Sequence, residues 1–220
     1  MLHYHGTPLT PKSELMTLAG KNFCVSHAHP RDVDWLIGNA QSIMWDNGAF
    51  SAYTKGKAFD PNGYYDWLED KLFGANWAVI PDVIGGDVDE QSVYLRQWPY
   101  PRHLSCAVWH MDLPIDWLLE LSDEYPRIAF GSSGQYWKVN SPEWQKRADE
   151  AWEALERTNN RNWVHMMRGL KVKGRRWPFA SADSCNVALS HSRHPMTALE
   201  MVNRIDLIQT PLQLTNTTNT

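Results

Sequence analysis

The stretch Ser42 to Tyr53, SIMWDNGAFSAY, opens with an apolar triplet, Ile43-Met44-Trp45, that runs directly into Asp46-Asn47-Gly48. The triplet suits a buried strand, and the acid, amide and glycine behind it mark where that strand ends and the chain turns. Two readings of the turn compete. Asn-Gly is the commonest hairpin dipeptide. In α/β proteins, by contrast, the carboxyl end of a parallel strand is where functional side chains gather. Whether the pattern recurs decides between them.

It does recur. Short apolar or alternating runs at Leu2–Thr7, Asn22–Ala28, Asn76–Asp82, Leu104–His110, Arg127–Gly134, Asn162–Met167 and Phe179–Ser184 read as strands beside Ser42–Asp46. Helical spacing falls between most of them, at about Lys12–Ala19, Asp32–Asn39, Asn62–Phe73, Val88–Trp98, Ile115–Glu124, Pro142–Arg157 and Pro195–Arg204. The clearest is Pro142–Arg157, where Trp144, Ala148, Ala151, Trp152 and Leu155 form one stripe. Eight strand-like runs about two dozen residues apart predict an α/β fold, a compact TIM-type (β/α)8 barrel over residues 1–209 as one domain. A doubly wound sheet is the alternative. Residues 210–220 read as a polar flexible tail.

Composition narrows the classes. The chain has 220 residues, 43% hydrophobic and 21% charged, with no run of membrane-spanning length, so a globular protein without a membrane partner is expected. The first residues lack a signal-peptide pattern, and Cys24, Cys106 and Cys185 form no CxxC pair and sit in or beside apolar runs, so a reducing cytoplasm is expected and a zinc knuckle is not. A net charge of −4 argues against a generic nucleic-acid coat while leaving room for a local basic patch. The twelve tryptophans are unusual; most suit the core, and aromatic faces also stack extruded bases.

If the barrel forms, the polar residues that follow each apolar run meet at one mouth: Asp46 and Asn47, Asp82, His110, Ser132 and Ser133, and Asp183. Carboxylates sharing a pocket repel, so at least one should hold its proton near neutrality. Such a pair can cleave a glycosidic bond, one carboxylate attacking or stabilising the anomeric carbon and another protonating the leaving group. Taken singly, each aspartate is better read as a helix cap or turn residue, a reading that weakens when three stand at the same end of a barrel.

These residues also resemble a family. Asp46-Asn47-Gly48-Ala49-Phe50 is similar to the Asp-Ser-Gly-Gly-Phe signature of tRNA-guanine transglycosylases, and closer to the form in their DNA-acting relatives, the 7-deazaguanine DNA transglycosylases. Ile80-Pro81-Asp82, Phe130-Gly131-Ser132, Val164-His165-Met166 and Ser181-Ala182-Asp183-Ser184 follow in the family's order. The resemblance spans most of residues 1–190 and implies roles. Asp183 would attack C1′ of a nucleotide. Asp46 would protonate the departing base and then act as general base. Asp82 would read the base edge, with Asn47, His110, Gly131 and Ser132 beside it and Phe50 as a stacking platform. The Cys-rich zinc site of the tRNA-acting members has no counterpart here, so the resemblance implies DNA as partner, no metal and no cofactor. It leaves open hydrolysis, as in a glycosylase of modified bases, or base exchange, in phage modification or anti-phage defence.

Five basic residues, Arg168, Lys171, Lys173, Arg175 and Arg176, lie between the last two strand runs, beside Asp183. A run of charge is usually a solvated face, but at this position it could hold the phosphates flanking a target nucleotide. Two rival readings stand beside this one. His3-x-His5, His110, His165 and Asp183 match the ligand order of a metal-dependent, amidohydrolase-like barrel, with His27-x-His29 as a second pair. A DNA-binding barrel without catalysis is the other.

Overall fold

The computed structural model describes residues 1–158 and 162–209. Its strands are β1 (Leu2–Gly6), β2 (Asn22–Ser26), β3 (Ser42–Asp46), β4 (Trp77–Val79), β5 (Ser105–His110), β6 (Arg127–Gly131), β7 (Trp163–Met166) and β8 (Ser181–Ser184). Each pairs in parallel with the next, and β8 pairs with β1 through Leu2–Ser181 to His5–Ser184, closing the barrel in chain order. This is the predicted (β/α)8 barrel. A doubly wound sheet would leave two edges, and here there is none. The Asn-Gly of Asn47-Gly48 therefore ends a barrel strand and makes no hairpin. The polar tail expected at 210–220 lies outside the described residues.

The helices are α1 (Lys12–Met16), α2 (Val33–Asn39), α3 (Ala49–Thr54), α4 (Pro61–Leu68), α5 (Val88–Gln97), α6 (Ile115–Glu124), α7 (Pro142–Thr158), α8 (Asn186–Ser190) and α9 (Ala198–Asp206). Caps place several of the boundaries. Asp87 and Glu90 form a capping box at the start of α5, and Thr197 with Glu200 does the same for α9, three residues later than its apolar spacing suggests. Among the described residues no helix is long and apolar enough to cross a membrane.

Strand alternation divides the side chains. Tyr4, Cys24, Met44, Trp77, Val79, Cys106, Val108 and Ala129 pack together inside the barrel, while their neighbours, such as Phe23, Trp45, Trp109 and Phe130, join the helix-side core. The interior holds polar atoms in a closed donor sequence. The Trp77 Nε1–H donates to Tyr4 Oη at 2.9 Å, Tyr4 can then donate to Ser42 Oγ at 3.0 Å, and Ser42 donates to the Ala75 carbonyl at 2.9 Å. No donor in that sequence is left unpaired, as a buried polar network requires.

A second polar anchor holds α4 against the sheet. The fully buried Tyr64 hydroxyl lies 3.0 Å from the carbonyls of both Trp45 and Val79, sharing its proton between the ends of β3 and β4. Tyr64→Phe is expected to cost about 1–2 kcal/mol and lower the melting temperature by several degrees, because both carbonyls lose their donor. An unchanged melting temperature would mean that the hydroxyl contributes nothing.

Candidate active site at the barrel mouth

Because all strands are parallel, their carboxyl ends share one face of the barrel. Asp46 is the last residue of β3, Asp183 the third residue of β8, and His110 the last of β5. Asp82 lies three residues beyond the end of β4. Parity turns Asp46, His110 and Asp183 inward along with the interior set, so the mouth gathers three carboxyl groups and an imidazole.

Asp183 is held from below and from the side. Its Oδ1 accepts the Arg168 backbone amide at 2.7 Å and faces His165 Nε2 at 3.2 Å. His165 is fully buried, with its ring edge-on to Tyr4 and Trp77. Its Nδ1 meets Ser181 Oγ at 2.8 Å, and that oxygen also accepts the Trp163 Nε1–H at 2.8 Å. With Trp163 donating inward, the Ser181 proton is free for His165 Nδ1, which leaves the ring proton on Nε2, aimed at Asp183. Burial alone would push the Asp183 carboxyl up. The hydrogen bond from His165, the Arg168 amide and the neighbouring His3 together outweigh it and hold the group below the usual aspartate value.

Asp46 is displaced the other way. It is half-buried, and desolvation pushes its carboxyl up to about 6, reinforced by the charges of Asp183 and Asp82 and opposed by the Ser26 hydroxyl and the Gly48 amide. The Gly48 amide donates to Asp46 Oδ2 at 3.2 Å. Gly48 adopts φ 79°, and a Cβ there would lie 3.0 Å from the Ala28 nitrogen, so only glycine lets the chain double back into α3 beneath the acid.

Asp82 belongs to a third group. Its Oδ2 faces His110 Nε2 at 2.9 Å and its Oδ1 accepts from Asn47 Nδ2 at 2.8 Å. Asn47 also donates to the Ile80 carbonyl at 3.0 Å and accepts the Ala49 amide at 2.8 Å. Both its amide protons are thus consumed, and Asn47 is a clamp on Asp82 with no donor left for a ligand. Asn47→Ala is expected to cost about 2 kcal/mol in thermal unfolding, since the Ile80 carbonyl and the Ala49 amide are buried beside it. A cost near zero would show that the clamp is dispensable.

The other expected residues are distributed unevenly. Phe50 stands on α3 with its ring half-exposed, and the Arg168 guanidinium rests 4.8 Å from its centre. Arg168 also donates to the Ser132 carbonyl at 3.2 Å, so one side chain ties the loops after β7, β6 and β3 across the mouth. Ser132 is buried, and its hydroxyl accepts the Trp144 indole at 3.0 Å. Gly131 ends β6, with His110 Nδ1 3.3 Å from where a Cβ would sit. Of the basic run, Lys173 is buried and donates to the Met1 carbonyl at 2.8 Å. Arg176 grips both oxygens of Asp149 and lies over Trp177. Lys171 and Arg175 remain exposed.

No family model matches the chain, and no curated protein matches it.

Two features of the mouth are not visible in the sequence. There His165 reads as a metal ligand, whereas in the fold it is the partner of Asp183. Cys185, expected as a small buried side chain, is exposed one residue beyond β8, and desolvation with the nearby Asp183 and Asp46 charges pushes its thiol up to about 11. It is a neutral thiol at physiological pH and no rival nucleophile. A Cβ on Gly6 would sit 2.6 Å from its sulfur, so the glycine ending β1 makes room for it. The paired histidines lie elsewhere: His3 and His5 face outward from β1, bonded to Ser184 Oγ at 2.9 Å and to Asp206 of α9 at 3.0 Å. His27 packs against Tyr64 and Trp67. Strand parity turns His3 and His5 away from the interior that holds Asp183.

Proposed function

We propose that the protein breaks the N-glycosidic bond of a base in DNA, with Asp183 as nucleophile and Asp46 as acid and base. One observation carries the reading: two carboxyl groups at one mouth are driven to opposite acidities, Asp183 downward and Asp46 up to about 6. Carboxyls separated in this way divide into a permanent anion and a proton carrier.

In the first step an Asp183 oxygen attacks C1′, the C1′–N bond breaks with its electron pair passing to the base, and the Asp46 proton neutralises the departing nitrogen. In the second, Asp46 takes a proton from water, the resulting oxygen attacks C1′, and Asp183 leaves as carboxylate. An incoming base in place of water would give exchange. Asp82, steadied by Asn47 and His110, is suited to accept hydrogen bonds from the donor edge of a base, and Phe50 to stack on its face. The outward-facing His3 and His5 give the hydrolase reading no ligand pair at this mouth.

The test is incubation with unmodified and base-modified DNA, followed by assays for abasic sites and for incorporation of labelled 7-deazaguanine. Abasic sites mean hydrolysis, incorporation without them means exchange, and neither product on any DNA would overturn the proposal.

A further inference from the structure

We infer that one side of the barrel rim, the loops after β8, β2 and β3, is a track for a single DNA strand. The inference rests on the reading above for the identity of the strand, and on charge and exposure for its path. Because the barrel closes in chain order, the loops after β8, β1, β2 and β3 adjoin one another around the mouth. Four exposed cations stand on three of them: Arg193 after β8, Arg31 after β2, and Lys55 and Lys57 after β3. None of the four has a carboxylate partner among the described residues. The basic run after β7 instead reaches the opposite end of the barrel, where Lys173 holds the Met1 carbonyl and Gly174 lies against Ile208 and Gln209. The acids of the loops after β2 and β3 are engaged elsewhere, Asp32 with Lys12 at 3.4 Å and Asp60 capping α4.

The loops after β4, β5 and β6 have the opposite sign, with Asp82, Asp87 and Asp112 against Lys138. In a chain of net charge −4, cations have been gathered on one crescent and acids on the other. A polyanion crossing the mouth is attracted to the first and repelled by the second.

Exposed apolar side chains accompany the cations. Phe50 and Tyr53 on α3 are 48% and 61% exposed, and Leu189 on α8 is 66% exposed. Rings left in water beside unpaired cations suit the stacking of unpaired bases between phosphate contacts. A duplex, stiff over about 150 base pairs, cannot follow a crescent around one barrel rim, whereas a single strand can.

The test uses the full chain carrying Asp183→Asn, so that binding is read without turnover, and follows the anisotropy of a labelled oligothymidylate of about 12 nucleotides against salt. Lys55→Ala with Lys57→Ala should reduce the slope of log affinity against log salt by about 1.4, at about 0.7 for each phosphate no longer neutralised, and Arg31→Ala with Arg193→Ala should do the same. Tyr53→Ala should weaken binding roughly tenfold with the slope unchanged, since stacking releases no ions. Lys138→Ala, across the mouth, should change neither. Unchanged slopes in both crescent variants, an equal reduction with Lys138→Ala, or tighter binding of the duplex would each overturn the track. Strand binding along the crescent without abasic sites or base exchange would leave the track standing and remove the glycosidic chemistry. The converse result would remove the track alone.

Discussion

Asp183→Asn is expected to reduce base release by about 10⁴-fold or more while leaving the protein folded, because the amide has the shape of the carboxylate and lacks the anion that attacks C1′. The surroundings can accommodate the change. The Arg168 amide, 2.7 Å from Oδ1, can donate to the asparagine oxygen as it does to the aspartate. What is lost is a charge that three neighbours stabilise against burial. Single-turnover release of base from an excess of enzyme isolates the step, and a melting curve in parallel checks the fold. Activity within tenfold of wild type would remove Asp183 from the chemistry. Mass spectrometry of acid-quenched wild-type reactions should show a nucleotide adduct on the peptide holding Asp183, absent from the variant.

Asp46→Asn should move activity and stability in opposite directions. Loss of a positioned acid and base typically costs 10²–10⁴-fold in rate. The stability sign follows from linkage. The carboxyl sits at about 6 in the folded protein and near 3.8 when unfolded, so the folded state holds the proton more tightly and loses stability as pH rises from about 4 through 6. Asparagine cannot ionise. Allowing for partial solvent access at Asp46, the variant should be more stable than wild type by on the order of 1–2 kcal/mol at pH 8 and about equal to it at pH 4. An aspartate serving only as a turn residue predicts destabilisation at both. In wild type, kcat/KM should fall above pH 6, where Asp46 has lost the proton the leaving base requires. A flat profile between pH 5 and 8 would argue against it as the acid.

The barrel was legible in sequence because its signal is redundant: runs such as Ile43-Met44-Trp45 recur in step with helical spacing, and no single one is decisive. The short elements were not legible. Helix α3 has six residues and begins at a left-handed Gly48, and α8 has five; neither is long enough to show an apolar stripe. Within the site, Asp46, Asp82 and Asp183 could be singled out because they end apolar runs, but their division of labour depends on neighbours far away in the chain. His165 reaches Asp183 only because β7 and β8 are adjacent and both residues turn inward, a parity readable from the spacing Ser181-x-Asp183 once the pairing is known. Lys173 and Arg176 illustrate the limit of a charge run: their partners, Met1 and Asp149, lie in distant segments. The crescent of cations needed the ring order of the loops, which no local stretch contains.

The β1–β8 pairing that closes the barrel also governs when the mouth is complete. During synthesis Asp46 and Asp82 emerge early and Asp183 late, so a nascent chain carries two of the three mouth carboxyls for most of its length without the third. Until β8 docks, β1 and β7 each present an unpaired edge, and His165 lacks its carboxylate. Closure removes both edges and brings Asp183 to the mouth with Asp46 in one event, so under the proposed function a chain that stalls or misfolds short of it would be unable to act on DNA.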